Sequence, residues 1–392
     1  MSTFPGPLVE FPGVSVDRFD GENRENSVFF LSHCHTDHMV GLHLGALPGP
    51  LYVSEISAVI LRQRYPQLED VRTLEIGVET EVQLKNGSVR VTAIPAGHCP
   101  GSVMFLFEAP TCRVLYTGDF RLREKDVRNI RVFERIRGKL DNLYVDSTFL
   151  CKSYEDFPSR SVSTKTIVDL IEEWTAKSEE HIVWLKTPAH YGSEFLFKEI
   201  HKRTRMPLHI EPWNMADYAY IPDMDGVFTV DEKQSQIHAC WKPGCPVVRS
   251  SGKKVREILP TAMFWTNWKE SRDFVKVTNF NIRVCYSSHS SMRELRDFIT
   301  FLRPASVKLN VIQESKKTEM YNALRKILAQ VDADKEKEVA EDPAAETPAA
   351  EEPEIISFKN IKFRDKQDVE FSMNSEEEPD EAPTFIPKRK KR

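Results

Sequence analysis

Short apolar runs that end on a single polar, metal-capable side chain recur along this chain. Residues 28–31 (VFFL) lead into SHCHTDH, 89–94 (VRVTAI) into PAGHCPG, and 114–116 (VLY) into TGDF. Residues 143–145 (LYV) open into Asp146, Ser147 and Thr148, residues 14–16 end at Asp17, and 282–287 run up to His289. Runs of this length, rich in β-branched and aromatic residues and bounded by turn formers, read as buried strands. Further strands are predicted at 51–54, 82–84 and 103–108, with a helix at 55–64. Strands of one sheet that each deliver a polar residue from their C-terminal end gather those residues along one edge, where α/β sites lie.

From about Cys151 the pattern changes. Ile167, Leu170, Ile171 and Trp174 recur at helical spacing, so 161–177 reads as a helix. A strand at 181–186, a helix at 193–203 and a strand at 208–210 continue a βα alternation, that of a second small α/β unit. Strand character at 227–230 and 236–240 precedes a Pro/Gly/Lys-rich loop through Gly252. Residues 262–265 read as another strand, with Phe264, Trp265 and Trp268 in the core or at its lip. A strand at 282–287, a helix at 292–302, a strand at 307–312 and a helix at 318–330 then return to the first plan. The boundaries expected are 1–150 for the first part of one domain, 151–281 for an insertion, 282–330 for the return, and 331–392 for a tail. That tail is rich in Glu, Ala and Pro and expected to be disordered. Residues 355–371 form an apolar interruption that reads as a docking segment or a stickier linker, and the closing PKRKKR as a nuclear address, a weak phosphate-binding tail or a solvated charge run.

Charge refines this division. The chain has 392 residues, 40% hydrophobic, with a net charge of −5. From residue 331 onward there are 18 acidic and 11 basic residues, which leaves the body at about +2. Any nucleic acid must therefore meet a local basic face. No run is long and apolar enough to span a bilayer, and no signal-peptide pattern opens the chain, so no membrane is expected. Seven cysteines, an odd number, argue against a disulfide framework and for a reducing compartment.

The hexapeptide HCHTDH packs His33, His35, Asp37 and His38 behind a strand. Imidazoles and a carboxylate this dense are costly to hold together unless they share a cation. A second set lies in the insertion. His238 and Cys240 stand as His-x-Cys, Cys245 follows across a Pro/Gly turn, and His209 lies on a strand expected to pair alongside. These four are the ligand types of a structural zinc. Cys34 and Cys99 flank ligands and read as packing residues.

The stretches SVDRFD, FFLSHCHTDHMVGL, PAGHCPGSVMFLFE, VLYTGDFRL, FPSR, QIHAC and SSHSS resemble the β-CASP nucleases of the metallo-β-lactamase superfamily, in their DNA cross-link repair branch. VFTVDEK leans toward the 5′-exonuclease members of that branch. The resemblance covers roughly residues 10–330. It implies an α/β architecture, the metallo-β-lactamase αββα sandwich with an inserted α/β β-CASP domain, and a cleft between the two. It also implies that His33, His35 and His98 hold one metal, that Asp37, His38 and His289 hold a second, and that Asp119 bridges. Asp17 and Asp146 complete the catalytic set as residues that orient ligating imidazoles. The metal expected is Zn2+, in one or two catalytic ions, with Mg2+ or Mn2+ available for turnover. The chemistry implied is phosphodiester hydrolysis by a metal-activated hydroxide.

By the same resemblance the partner is DNA, the location is the nucleus, and a DNA-dependent protein kinase and an end-joining ligase are the protein partners. Arg160, Lys152, Lys186, Lys253 and Lys254 are candidates for phosphate contacts. Thioesterases and lactamases of the superfamily usually lack the insertion and the His289 motif, and no ligand position is substituted as in a silent scaffold. Val311 stands where RNA-cleaving members carry a His, which points to DNA.

Overall fold

The computed structural model describes residues 2–341 except 188–190, 219, 220, 222, 241–244, 250, 251, 270–272 and 280. The apolar interruption at 355–371 and the closing basic run fall outside the described residues.

The chain opens with a parallel four-stranded sheet, β1 (Val14–Val16), β2 (Val28–Phe30), β3 (Leu51–Val53) and β4 (Val71–Thr73), in that order, with α1 (Glu55–Arg64) between the last two. Ser54 caps α1 by accepting from the Ser57 backbone NH. A mixed sheet follows from β5 (Glu79–Leu84), β6 (Gly87–Pro95), β7 (Val103–Ala109), β8 (Cys112–Tyr116) and, after the short helices α2 (Glu124–Asn129) and α3 (Arg131–Ile136), β9 (Asn142–Val145).

The chain then departs into α4 (Arg160–Thr175), β10 (His181–Leu185), α5 (Glu194–Thr204), β11 (Leu208–His209), α6 (Pro212–Tyr218), β12 (Phe228–Thr229), β13 (Ile237–His238), α7 (Pro246–Arg249), β14 (Lys254–Pro260), β15 (Val275–Thr278) and β16 (Asn281–Val284). Their seven strands form a separate sheet in the order β12-β11-β13-β10-β14-β16-β15. After α8 (Met292–Leu302), strand β17 (Ser306–Leu309) joins β9 at the edge of the mixed sheet, and α9 (Lys317–Glu341) follows.

Alternation along β7 shows how the layers form. Phe105 and Phe107 point between the two sheets of the first domain, against Phe30, Val82, Val91 and Val114. Met104 and Leu106 point the other way, onto Phe133, Phe298, Ile299 and Leu324 of the helices. A strand buried on both faces reads as one continuous apolar run, which is what VMFLF is. On the far side of the four-stranded sheet, Phe29, Leu31 and Val53 pack against Ala58 and Leu61 of α1, and this core continues into Ile167, Val183 and Leu196 of the insertion. The order of layers is helix, sheet, sheet, helix.

Three sequence expectations are corrected. Residues 262–265 are a turn, not a strand. Trp265 and Trp268 pack beneath it on Phe149, Tyr154 and Phe157, while Met263 and Phe264 stay exposed. Aromatic burial in a turn imitates a strand in composition. The strand of that region is β14, in the central part of the inserted sheet. The strand before His289 ends at Val284 and pairs with β14 and β15, so it belongs to the inserted sheet. Finally, α9 continues past Gln330 to Glu341, with Val331 buried on the helical side of the core. Among the described residues no helix is long and apolar enough to cross a membrane.

Candidate active site

Each functional side chain sits where a strand stops. Asp17 follows β1 in the left-handed backbone region (φ 55°), a conformation Asp tolerates better than most residues. Its carboxylate accepts from the Ser32 NH (2.7 Å), the Ser32 hydroxyl (2.6 Å), the Tyr116 hydroxyl (3.0 Å) and His38 Nδ1 (2.8 Å). The hexapeptide thus leaves β2 tied to the neighbouring strand end. Gly118 of TGDF has φ 54°, and a Cβ there would stand 2.5 Å from the Ser32 hydroxyl, so only glycine lets the two loops approach. Ser291 and Glu294 form a capping box that starts α8 two residues beyond His289.

The hydrogen bonds fix where the imidazole protons lie. Ser32 Oγ donates to Asp17, so it accepts from His33 Nδ1–H at 2.9 Å. His35 Nε2–H donates to the Tyr191 carbonyl (2.6 Å) and His98 Nδ1–H to the Ser288 carbonyl (2.9 Å). The other nitrogen of each ring is left bare. Those bare nitrogens converge: His35 Nδ1 lies 3.0 Å from His33 Nε2 and 3.0 Å from His98 Nε2. Asp119 Oδ2 stands 3.7 Å from both His33 Nε2 and His98 Nε2. Lone pairs this close repel unless a cation lies among them. Tetrahedral bonds of about 2.0–2.1 Å to nitrogen place ligands at about this spacing.

A second group shares Asp119. His38 gives its Nδ1 proton to Asp17, and its buried Nε2 has no hydrogen-bond partner while lying 3.4 Å from Asp119 Oδ2 and 3.9 Å from Asp37 Oδ2. An orphaned buried nitrogen aimed at two carboxylates fits a cation ligand. His289 gives its Nδ1 proton to Asp146 at 2.8 Å. Asp146 is held in turn by the Thr148 NH (2.9 Å) and hydroxyl (2.6 Å). Asp37 accepts from the Ser2 NH at 2.9 Å.

Electrostatics divides the imidazoles. Burial, reinforced by neighbouring imidazoles, holds His33 and His98 well below the ordinary histidine value, and burial lowers His35 as well. Neutral rings are what a cation requires. Burial also pulls on His38 and His289, but Asp119 with Asp17 in one case, and Asp146 with Asp119 in the other, leaves both raised. Burial works against the charged form of Asp119, yet His38 and His289 hold it well below the carboxylate range.

Of these groups His35, His98, Asp119 and His289, with Asp37, line a cleft of about 250 Å³, together with Tyr191, Gly192 and Ser193 before α5. A Cβ at Gly192 (φ 116°) would press on His35 Nε2 at 3.0 Å.

Arg160 differs from its expected role as a phosphate contact. It turns inward, its Nη2 donating to the Gly97 carbonyl at 2.8 Å beside His98, and its Nε is buried without a partner. Lys186 is paired with Glu257 (2.9 Å) and Lys253 with Glu180 (3.3 Å).

In the inserted sheet, His209, His238, Cys240 and Cys245 are all buried and converge. His209 Nδ1 lies 3.1 Å from His238 Nδ1 and 3.0 Å from Cys240 Sγ, and Cys245 Sγ lies 3.4 Å from His238 Nδ1. The pairing of His209 with His238 across β11 and β13 makes this possible by register. A hydrogen bond from Cys240 keeps the Cys245 thiol far below its ordinary value. None of the seven cysteines forms a disulfide.

Several supporting residues were not anticipated. Ser32, Tyr116 and Thr148 hold carboxylates or imidazoles, and Tyr191 and Ser288 act through carbonyls that any residue would supply. Buried Arg121 binds Glu294 (3.1 Å) and the carbonyls of Ser287 (3.0 Å) and Pro158 (3.1 Å), joining the TGDF loop to the His289 loop. The only available signal was position: Ser32 and Arg121 lie one or two residues from a ligand type.

Residues 27–157 match the metallo-β-lactamase superfamily, and residues 222–315 match the DNA repair metallo-β-lactamase family. The chain belongs to the metallo-β-lactamase superfamily, in its DNA-repair branch with the β-CASP insertion. Within that branch it is Artemis-like. It is 33% identical to Protein artemis of Mus musculus over 346 residues (80% of this chain, 48% of the relative) and 34% identical to that of Danio rerio over 362 residues (84% and 56%). It is also 34% identical to 5′ exonuclease Apollo of Mus musculus over 287 residues (71% and 50%). The chain spans about half the length of the curated relatives it matches.

Proposed function

We propose that this chain is a metal-dependent DNA nuclease that hydrolyses phosphodiester bonds and processes DNA ends, in double-strand break repair by end joining. The observation that carries the reading is the convergence of three bare imidazole nitrogens on Asp119, beside a second group that shares the same carboxylate. In this reading His33, His35 and His98 hold one cation, Asp37, His38 and His289 a second, and Asp119 bridges. Zinc suits the imidazole-rich set, with magnesium or manganese as alternatives for turnover.

When bound, such cations acidify a water and neutralise charge on the phosphate under attack. The chain's own residues prepare for this. Ser32, Tyr191 and Ser288 hold the tautomers of His33, His35 and His98 so that the bare nitrogen faces inward. Asp17 and Asp146 do the same for His38 and His289. The cleft, walled by Tyr191 and Gly192, is where the scissile bond is received.

The similarity to Apollo supports a second reading, a 5′ exonuclease acting in cross-link repair or at chromosome ends. A nuclear location and an association with a DNA-dependent protein kinase and an end-joining ligase go with the first reading. We also assign a structural zinc to His209, His238, Cys240 and Cys245, on the strength of their buried convergence.

The test offers purified protein a DNA hairpin and a 5′-phosphorylated single strand with zinc, magnesium or manganese. Hairpin opening supports the end-processing reading, and digestion of the single strand alone supports the exonuclease. His35→Ala should abolish either activity and lower the metal content. Cleavage that survives in this variant, in a preparation free of other nucleases, overturns the metal reading.

A further inference from the structure

The turn at 262–265 leaves an aromatic ring in the open with two cations upon it. Phe264 is 41% exposed, and beside it Met263 is 60% exposed. The ring is braced edge-to-face on buried Trp265, with centroids 5.4 Å apart. Lys276 Nζ lies 5.0 Å, and the Arg283 guanidinium carbon 4.8 Å, from its centroid. These cations are directly opposite one another across the antiparallel pair β15 and β16, at the edge of the inserted sheet. Like charges opposite each other destabilise a sheet. Among the described residues neither forms an ion pair, so no described carboxylate relieves the repulsion. An anion would.

The turn also reaches the cleft through packed side chains. The Tyr154 hydroxyl donates to the Met263 carbonyl at 3.2 Å, Tyr154 packs on Phe149 at 4.7 Å, and Phe149 lies 6.0 Å from His289, centroid to centroid. An exposed ring with paired cations, linked through Tyr154 and Phe149 to His289 of the cleft, has the composition of a platform for unpaired nucleotides. There a base stacks on the ring while the phosphates meet the cations. Bases inside a duplex are already stacked on both faces, and only its end pair exposes one.

We propose that Phe264, Lys276 and Arg283 form a single-stranded DNA site that holds the unpaired end of the substrate beside the cleft. This deepens the nuclease reading and rests on it for the identity of the ligand.

The test measures binding of the full chain to a fluorescent blunt duplex, and to the same duplex carrying a single-stranded overhang, across a range of salt. Phe264→Ala should weaken overhang binding about tenfold and leave the blunt duplex unaffected, while Phe264→Trp retains the affinity. The pair Lys276→Gln and Arg283→Gln should flatten the salt dependence of overhang binding by about 1.4 in log K against log salt. Equal overhang binding by wild type and Phe264→Ala overturns the platform even if DNA is cleaved. Loss of binding only in the charge variant reduces the patch to a plain anion site and overturns it too. A wild type that prefers the overhang through Phe264, yet cuts no DNA, supports the platform and counts against the nuclease reading.

Discussion

His289 Nδ1 lies 2.8 Å from Asp146 Oδ2, although 143 residues separate them along the chain. Those residues contain the whole inserted sheet, so the bond closes only when the chain returns to the first domain. Asp146 uses both oxygens, one on Thr148 and the other on His289. Asparagine has one acceptor oxygen, so Asp146→Asn must turn its amide NH2 toward one set of donors. We expect a loss of 10- to 100-fold, on the order typical for such orienting groups, in metal affinity and in DNA cleavage. Metal titration with the rate measured in the same preparation checks this. An Asp146→Asn protein that binds metal and cuts like wild type would show that His289 needs no orienting carboxylate.

The hexapeptide was legible because four metal-capable side chains share one short loop, and α1 and α8 because their caps and apolar spacing agree. Asp17, Asp119 and Asp146 were legible as strand ends. Ser32 and Tyr116 were not, because they reach Asp17 through parallel register and through contact between two sheets, neither of which local pattern encodes. The carbonyls of Tyr191 and Ser288 leave no chemical signature at all. Strand β14 was missed because KVREILP mixes charge with apolar residues, while AMFW nearby looked more strand-like and is a turn. Arg160 looked available by its charge and is turned inward by the Gly97 carbonyl.

Glu194 is 2% exposed, and both of its oxygens accept from the Gly192 NH at 2.9 Å. Burial raises its carboxyl from 4.5 to about 7, against the opposing pull of backbone hydrogen bonds. With the folded value above the unfolded one, the folded state binds the extra proton between these limits. Stability therefore falls as pH rises from about 4.5 through about 7 and is level beyond. Removing the charge should be worth about 3 kcal/mol at most at high pH and nothing below 4.5. Glu194→Gln should raise the melting temperature at pH 8 more than at pH 5. A difference that stays constant with pH would assign the cost to something other than this carboxyl.

Val311 is 5% exposed and borders the cleft, its NH held by the Ser147 hydroxyl at 3.0 Å. A buried apolar side chain offers no donor or acceptor to a ribose hydroxyl, whereas histidine would. We expect DNA to be cut faster than RNA of the same sequence, in competition within one reaction. Faster cleavage of the RNA strand would place the protein among RNA-processing nucleases.

The four residues His209, His238, Cys240 and Cys245 make the clearest stability prediction. Metal binding to such a set is coupled to folding, since the unfolded chain has no preformed site. His238 Nε2 is buried without a partner, so its ring is held by what its other nitrogen meets. Cys245 directly precedes α7, and Cys240 lies two residues beyond β13. A zinc there would fasten this stretch to the inserted sheet. Serine in place of Cys240 keeps the size but is a poor zinc ligand, so Cys240→Ser should lower both the melting temperature and the zinc content by about one ion per chain. The ligands around Asp119 lie on other strands, and His35→Ala should remove metal from that cleft alone. Elemental analysis of the two variants side by side separates the sites. Undiminished zinc in Cys240→Ser would mean that the four side chains are a buried hydrogen-bonded cluster without a metal.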